Sequence, residues 1–213
     1  MKVCIYGAGA IGGWIATRFS ETDHHVSCVD RGEAYAVIRR DGLRVKNSTG
    51  EQVYQLPITD DPSGLGEQDL LVIAVRSNEL LSIIDSVQPL LGNDTTIITL
   101  FGGIPWWYFY GQNNISDPLW LNAVDPGGKI WDALGPERAL GGIAYPWVKS
   151  YEPGVIEHQF GANFTFGEPD GTKSPRLKAT QQAFSDAGFK AISAKKIRSN
   201  LWLSLMGNAS LVC

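Results

Sequence analysis

Three glycines spaced G-x-G-x-x-G, at positions 7, 9 and 12, are the residues of this 213-residue chain best suited to a defined piece of chemistry. That chemistry is phosphate binding. Gly7 permits a tight turn, Gly9 lets the main chain approach a pyrophosphate, and Gly12 lets a helix pack closely on a strand. Ala10, Ile11 and Gly12 would open that helix, and its N-terminus presents free N–H groups and partial positive charge to an anion. The context agrees. An apolar strand pattern (Val3, Ile5) precedes the glycines, and a helical pattern (Ile11, Ile15, Phe19) follows them. A second strand pattern, 26–29, then ends at Asp30, eighteen residues past Gly12. A carboxylate there bonds the 2′-hydroxyl of an adenine ribose, so the segment reads as a dinucleotide fingerprint.

The elements that must hold these residues alternate along the chain. Strands are expected at 2–6, 26–29, 70–75 and 95–100. Helices are expected at 10–20, 33–40 and 78–90, with short strands near 43–46 and 51–54. Leu70-Leu71-Val72-Ile73-Ala74-Val75 is a continuous apolar run, the pattern of a parallel strand buried on both faces. Residues 102–138 are rich in Gly and Pro. Beyond them come strands at 140–148 and 155–166, a helix at 174–187, a strand at 189–193 and a last helix from about 196. This order predicts an α/β fold, a Rossmann-type doubly wound and mostly parallel sheet.

Composition excludes several classes. Hydrophobic residues make up 44% of the chain and charged residues 19%, ample for a core, and the formal net charge is −4. No basic run interleaves with aromatics, so no nucleic-acid partner is expected. Cys4, Cys28 and Cys213 form no C-x-x-C, and the histidines have no ligand spacing, so no metal site is expected. His24-His25 reads as a polar loop before a strand. No apolar run reaches membrane-span length, and residues 1–6 are strand rather than signal peptide. The expected location is the cytoplasm, with reduced thiols.

Several segments together resemble the ketopantoate reductase family (2-dehydropantoate 2-reductase and its relatives). After the opening glycines these are Val29-Asp30-Arg31-Gly32, Asp41-Gly42-Leu43, Ala74-Val75-Arg76-Ser77 and Gly103-Ile104-Pro105-Trp106-Trp107-Tyr108. Further on come Val124-Asp125-Pro126-Gly127-Gly128, Glu152-Pro153-Gly154-Val155, Gly167-Glu168-Pro169-Asp170-Gly171 and Ile197-Arg198-Ser199-Asn200-Leu201-Trp202. The resemblance spans essentially the whole chain. It implies a Rossmann domain followed by a helical domain, NADP as the usual cofactor, and reduction of a small 2-oxo acid. By that resemblance Arg31 pairs a 2′-phosphate and Arg76 lies near the cofactor phosphates, so NADP is favoured, with NAD the alternative that Asp30 supports. It also divides the chain into a dinucleotide-binding domain, 1–194, and the first helix, 195–213, of an otherwise missing all-α domain.

Departures from the family pattern touch the chemistry. The family's Asn before Ile-Pro-Trp-Trp is Gly102, which also counts as a cofactor-side residue. The family's lysine two residues after the Trp is Ser204, whereas the family's next asparagine is retained as Asn208. Hydride delivery to a ketone builds negative charge on oxygen, and a positioned acid is worth about 10²–10⁴ in rate. Ser204 carries no charge and Gly102 no side chain. Lys196 lies eight residues earlier, about 12 Å along a helix, and Lys195 is farther. Arg198 is a poor acid. The expectation is a weak or inactive reductase whose catalytic positions are Ser204, Asn208 and Gly102. The alternative is a non-catalytic NAD(P)-binding or interaction protein. Trp106-Trp107-Tyr108-Phe109-Tyr110 reads as core before pocket wall, and Asp125 and Glu168 as turn residues before an acid pair. The apolar last helix predicts a homo-oligomer.

Overall fold

The computed structural model describes residues 1–112 and 119–211, apart from the side chains of 208, 209 and 211. The first half runs β1 (Lys2–Tyr6), α1 (Ala10–Phe19), β2 (His25–Val29), α2 (Gly32–Asp41), β3 (Leu43–Asn47), β4 (Gly50–Tyr54), β5 (Ile58–Thr59), β6 (Leu70–Ile73), α3 (Ile84–Val87) and β7 (Thr96–Thr99). The second half runs α4 (Lys129–Leu134), β8 (Ala139–Ala144), β9 (Trp147–Glu152), β10 (Val155–Phe160), β11 (Asn163–Gly167), α5 (Pro175–Asp186), β12 (Lys190–Ser193) and α6 (Ile197–Leu211).

The main sheet has the order β12-β11-β8-β7-β6-β1-β2-β5. Every pairing in it is parallel except β11 with β8. This is the doubly wound α/β sheet read from the sequence. Its strand order reverses between β1 and β6, the switch point at which such sheets bind ligands. Period-2 alternation sends neighbouring β1 residues to opposite faces. Val3 and Ile5 join a core with Ile15, Phe19, Phe164, Phe166 and Phe184. Cys4 and Tyr6 join another with Leu80, Val87, Trp106, Trp107, Ile130 and Ile197.

A second sheet, β4-β3-β10-β9, stands apart and closes over α1, where Trp14 stacks on His158 with ring centroids 4.1 Å apart. The sequence reading had 140–148 and 155–166 as single strands. Each is in fact two, and each crosses from one sheet to the other. Pro146, which has no N–H for a ladder, breaks the first. Gly161, at φ +85°, breaks the second beside it: a Cβ on Gly161 would sit 3.3 Å from Pro146 Cα.

The helix expected over 78–90 is also broken. It consists of a 3-10 turn (Ser77–Ser82), the single α turn of α3, and another 3-10 turn (Gln88–Leu90). The Ser82 and Ser86 hydroxyls donate to the carbonyls of Glu79 and Ile83, and Pro89 has no N–H to give. Helix α4 was hidden by the Gly- and Pro-rich composition. It is nucleated by Asp125, fully buried, whose carboxylate accepts the N–H groups of Ile130 (2.8 Å) and Trp131 (2.9 Å).

Candidate functional site: a glycine-lined groove and an adjoining cleft

The glycine motif sits at the switch point as the turn from β1 into α1. Gly7 has φ +98° and lies against Ala74 and Val75 at the end of β6. A Cβ on Gly12 would fall 1.9 Å from the Gly7 carbonyl oxygen and 2.9 Å from Ala74 Cβ, so glycine here is required by the protein's own packing. Gly9 differs. A Cβ there would meet nothing within 4 Å, and its φ of −72° is open to any residue. Gly9 is the N-cap of α1, whose first turn has neither a side-chain cap nor an acidic residue. The N–H groups of Ala10, Ile11 and Gly12 therefore open that turn without a side-chain acceptor, an anion site in waiting.

Asp30 braces this loop. One carboxylate oxygen accepts the Ala8 N–H (2.6 Å) and the other the Arg31 N–H (2.7 Å). Arg31 is exposed, and its guanidinium donates to the Ser82 hydroxyl at 3.1 Å. Arg76 is exposed just beyond β6, and its N–H donates to Glu79. A groove of about 480 Å³ runs past these elements. It is lined by Ala10, Ile11, Ala74, Val75, Arg76, Ser77, Asn78, Leu100, Phe101 and Gly102.

The groove shares Ile11, Leu100, Phe101 and Gly102 with a cleft of about 390 Å³. Gly102, Gly103, Trp147, Lys149, Leu201, Ser204 and Leu205 are among the residues around that cleft. The fold thus brings together two of the three positions read as catalytic, Gly102 and Ser204, which are a hundred residues apart in sequence. Asn208 lies one turn beyond Ser204 on α6; its side chain is outside the described residues. Lys195 and Lys196 are exposed and do not line the cleft.

Helix α6 is fastened to the loop after Gly103 by Arg198. Its guanidinium donates to the carbonyls of Tyr108 (2.6 Å), Tyr110 and Pro169. It also lies 5.6 Å from the ring centroids of Trp107 and Tyr108. Burial draws its pKa down from the ordinary arginine value. Two turns of packing reinforce the clamp: Ile197 and Leu201 are buried, and Trp202 Nε1 donates to the Tyr108 hydroxyl at 2.9 Å. Trp106 and Trp107 are core, as the aromatic block suggested. Glu168 accepts from the Ser174 hydroxyl and pairs with Arg176 (2.7 and 2.6 Å), which ties α5 to the end of β11. Neither Asp125 nor Glu168 lines the cleft.

Residues 3–105 match the family model described as ketopantoate reductase PanE/ApbA. A 2-dehydropantoate 2-reductase of Mesorhizobium japonicum is 39% identical over 99% of this chain. Residues 3–105 carry the ketopantoate reductase family domain, and the chain as a whole is similar to members of that family. The chain spans 65% of the length of that relative. A Ralstonia solanacearum MolK2 crystal structure, described as a "putative ketopantoate reductase", superposes with a TM-score of 0.92 at 32% identity, over 98% of this chain and 65% of that one. A D-mandelate dehydrogenase solved with NADH and anilino(oxo)acetate shares the fold, with a TM-score of 0.77 at 20% identity, over 95% of this chain and 59% of that one.

Two site residues escaped the sequence reading. Arg198 was weighed only as an acid, and its part as a clamp follows from the loop's path. Lys149 carried no signal, because its place in the cleft depends on the change of sheet at Pro146. Among the described residues no helix is long and apolar enough to cross a membrane, and no cluster of His, Cys, Asp and Glu could hold a metal ion.

Proposed function

We propose that this chain binds a nicotinamide dinucleotide, NADP in preference to NAD, and is a weak reductase of a small 2-oxo acid of the ketopantoate kind. Gly9 carries the reading. It is a glycine that no packing among the described residues demands, at an uncapped helix N-terminus, beside a groove of about 480 Å³. The open space at its missing Cβ and the first-turn amides of α1 suit a pyrophosphate. Arg76 lines the groove and Arg31 stands exposed next to Asp30, and these two cations support a 2′-phosphate over a bare ribose. When bound, the reduced nicotinamide supplies a hydride. The chain itself must orient the acid, exclude water and place a proton at the carbonyl oxygen. The cleft walls of Leu100, Ile143, Leu201 and Leu205 serve the first two ends. For the third, Ser204 offers a single uncharged hydroxyl and Gly102 offers nothing.

The test is NADPH and ketopantoate with the purified chain, followed by loss of nicotinamide absorbance. Ordinary turnover of about 10 s⁻¹, reduced by the about 10²–10⁴ that a positioned acid contributes, leaves about 0.1 s⁻¹ or less. Turnover above about 1 s⁻¹ overturns the weak-catalysis reading. NADPH binding without turnover favours a second reading, a non-catalytic dinucleotide-binding protein, for which Gly102 and Ser204 are the supporting residues. The double variant Gly102→Asn/Ser204→Lys is the sharper experiment. A Cβ at Gly102 meets nothing within 4 Å, so the backbone there accepts a side chain. A gain of about tenfold or more in turnover is expected.

A further inference from the structure

We propose that Lys149 is the anion-recognition residue of the cleft, taking the carboxylate of the small 2-oxo acid. Resting on the reductase reading, this assignment deepens it. Among the described residues lining the cleft, Lys149 is the one charged side chain; the others are apolar, glycine or, at Ser204, a hydroxyl. Lys149 and Trp147 are two apart on β9, so they share a face of the strand, and the Lys149 ammonium sits 5.8 Å from the Trp147 ring centroid. Trp147 in turn stacks on Phe160 at 5.7 Å, which holds the platform under the cation.

Among the described residues the ammonium has no ion-pair partner. Glu157 is its cross-strand partner on β10, yet the Glu157 carboxylate takes the Tyr151 hydroxyl. A cation facing an apolar-walled space of about 390 Å³ selects a small anion with an apolar body. A carboxylate is favoured over a phosphate, because one point charge and one hydroxyl serve two oxygens but leave a phosphate under-coordinated. The phosphate machinery lies elsewhere, at the Gly9 turn and the two arginines. Because the cleft and the groove share Ile11, Leu100, Phe101 and Gly102, an acid held by Lys149 adjoins the cofactor groove. The family lysine on α6 is replaced by Ser204, and Lys149 restores the charge to the same cleft from the opposite element.

Calorimetric titration of ketopantoate into the full chain, with NADP⁺ saturating, tests this. Lys149→Met should weaken ketopantoate binding by about tenfold or more, and Lys149→Arg by no more than about threefold. The methyl ester of ketopantoate, which has no carboxylate, should bind wild type and Lys149→Met alike. NADPH affinity, read by nicotinamide fluorescence, should be the same in all three proteins. Equal ketopantoate affinity in wild type and Lys149→Met overturns the assignment, as does absence of ketopantoate binding to wild type. An ester affinity that falls with the acid affinity also overturns it, since lost packing would then be the cause. Failure of NADPH to bind, with ketopantoate still held in a Lys149-dependent way without cofactor, removes the reductase reading and leaves the cation assignment standing.

Discussion

Glycine has two separable reasons to occupy a site, and the motif contains both. At Gly12 the reason is internal, since a methyl group would strike the Gly7 carbonyl oxygen. At Gly9 the space is empty and the backbone conformation ordinary. The two alanine variants should therefore part company. Gly12→Ala should lower stability by about 1–3 kcal/mol, from backbone overpacking, and weaken NADPH binding with it. Gly9→Ala should unfold within about 1 kcal/mol of wild type, the cost of alanine at an N-cap, yet bind NADPH about tenfold or more weakly. Urea denaturation beside an NADPH titration checks both. A Gly9→Ala protein of undiminished affinity would mean that no phosphate approaches that turn. Sequence spacing alone located these glycines, because the turn is local. It could not tell that Asp30 faces the Ala8 amide, since that depends on how β2 registers against β1.

At the scale of elements, the site depends on α6 and the loop beyond Gly103 being held together. Arg198 does this with three main-chain carbonyls and two aromatic faces. Arg198→Met keeps much of the stem's bulk and removes the donors. It should cost about 2–3 kcal/mol, because bonds from a charged, half-buried donor are lost and three carbonyls are left to water. Hydrogen exchange should show faster opening at residues 104–112 and the first turns of α6, with β1 and β6 unchanged. Protection lost evenly across the chain would deny Arg198 a local clamping part. The order of strands and helices was legible because apolar runs such as 70–75 and the fingerprint at 1–30 carry their own periodicity. The second sheet was not. Its strands 43–46 and 51–54 were visible as extended segments, but the pairing of β3 with β10 bridges about a hundred residues, and only Pro146 and Gly161 marked where two long runs change sheets. Ser204 and Gly102 were read as sharing a site only by resemblance, because their approach depends on α6 packing against β8 and β11, which brings Ser204 to the cleft that Gly102 also lines.

For the molecule as a whole, the centre of the main sheet makes a statement about pH. Cys4 and Cys28 lie on adjacent strands, both fully buried and free. Burial pushes the Cys4 thiol from near 9 up to about 12, against a smaller opposing effect of the Ser27 hydroxyl. Cys28 is raised as well, by burial first and then by the charges of Cys4 and Asp30. Both groups are acids whose protonated form the fold favours. Below pH 9 they are protonated, folded or unfolded, and contribute no pH dependence. Above it the unfolded chain releases protons that the native chain keeps. Stability should then fall with rising pH, by about 1.4 kcal/mol per pH unit for each thiol, until the native values are reached. Urea unfolding at pH 8, 9 and 10 measures the slope. Lysine and tyrosine titrations contribute to any alkaline loss, so the deciding comparison is Cys4→Ala/Cys28→Ala. That variant loses some packing at every pH, but its stability should decline less steeply between pH 9 and 10 than that of wild type. Parallel slopes would mean that the thiols ionise within the fold, and that the middle of this sheet admits water.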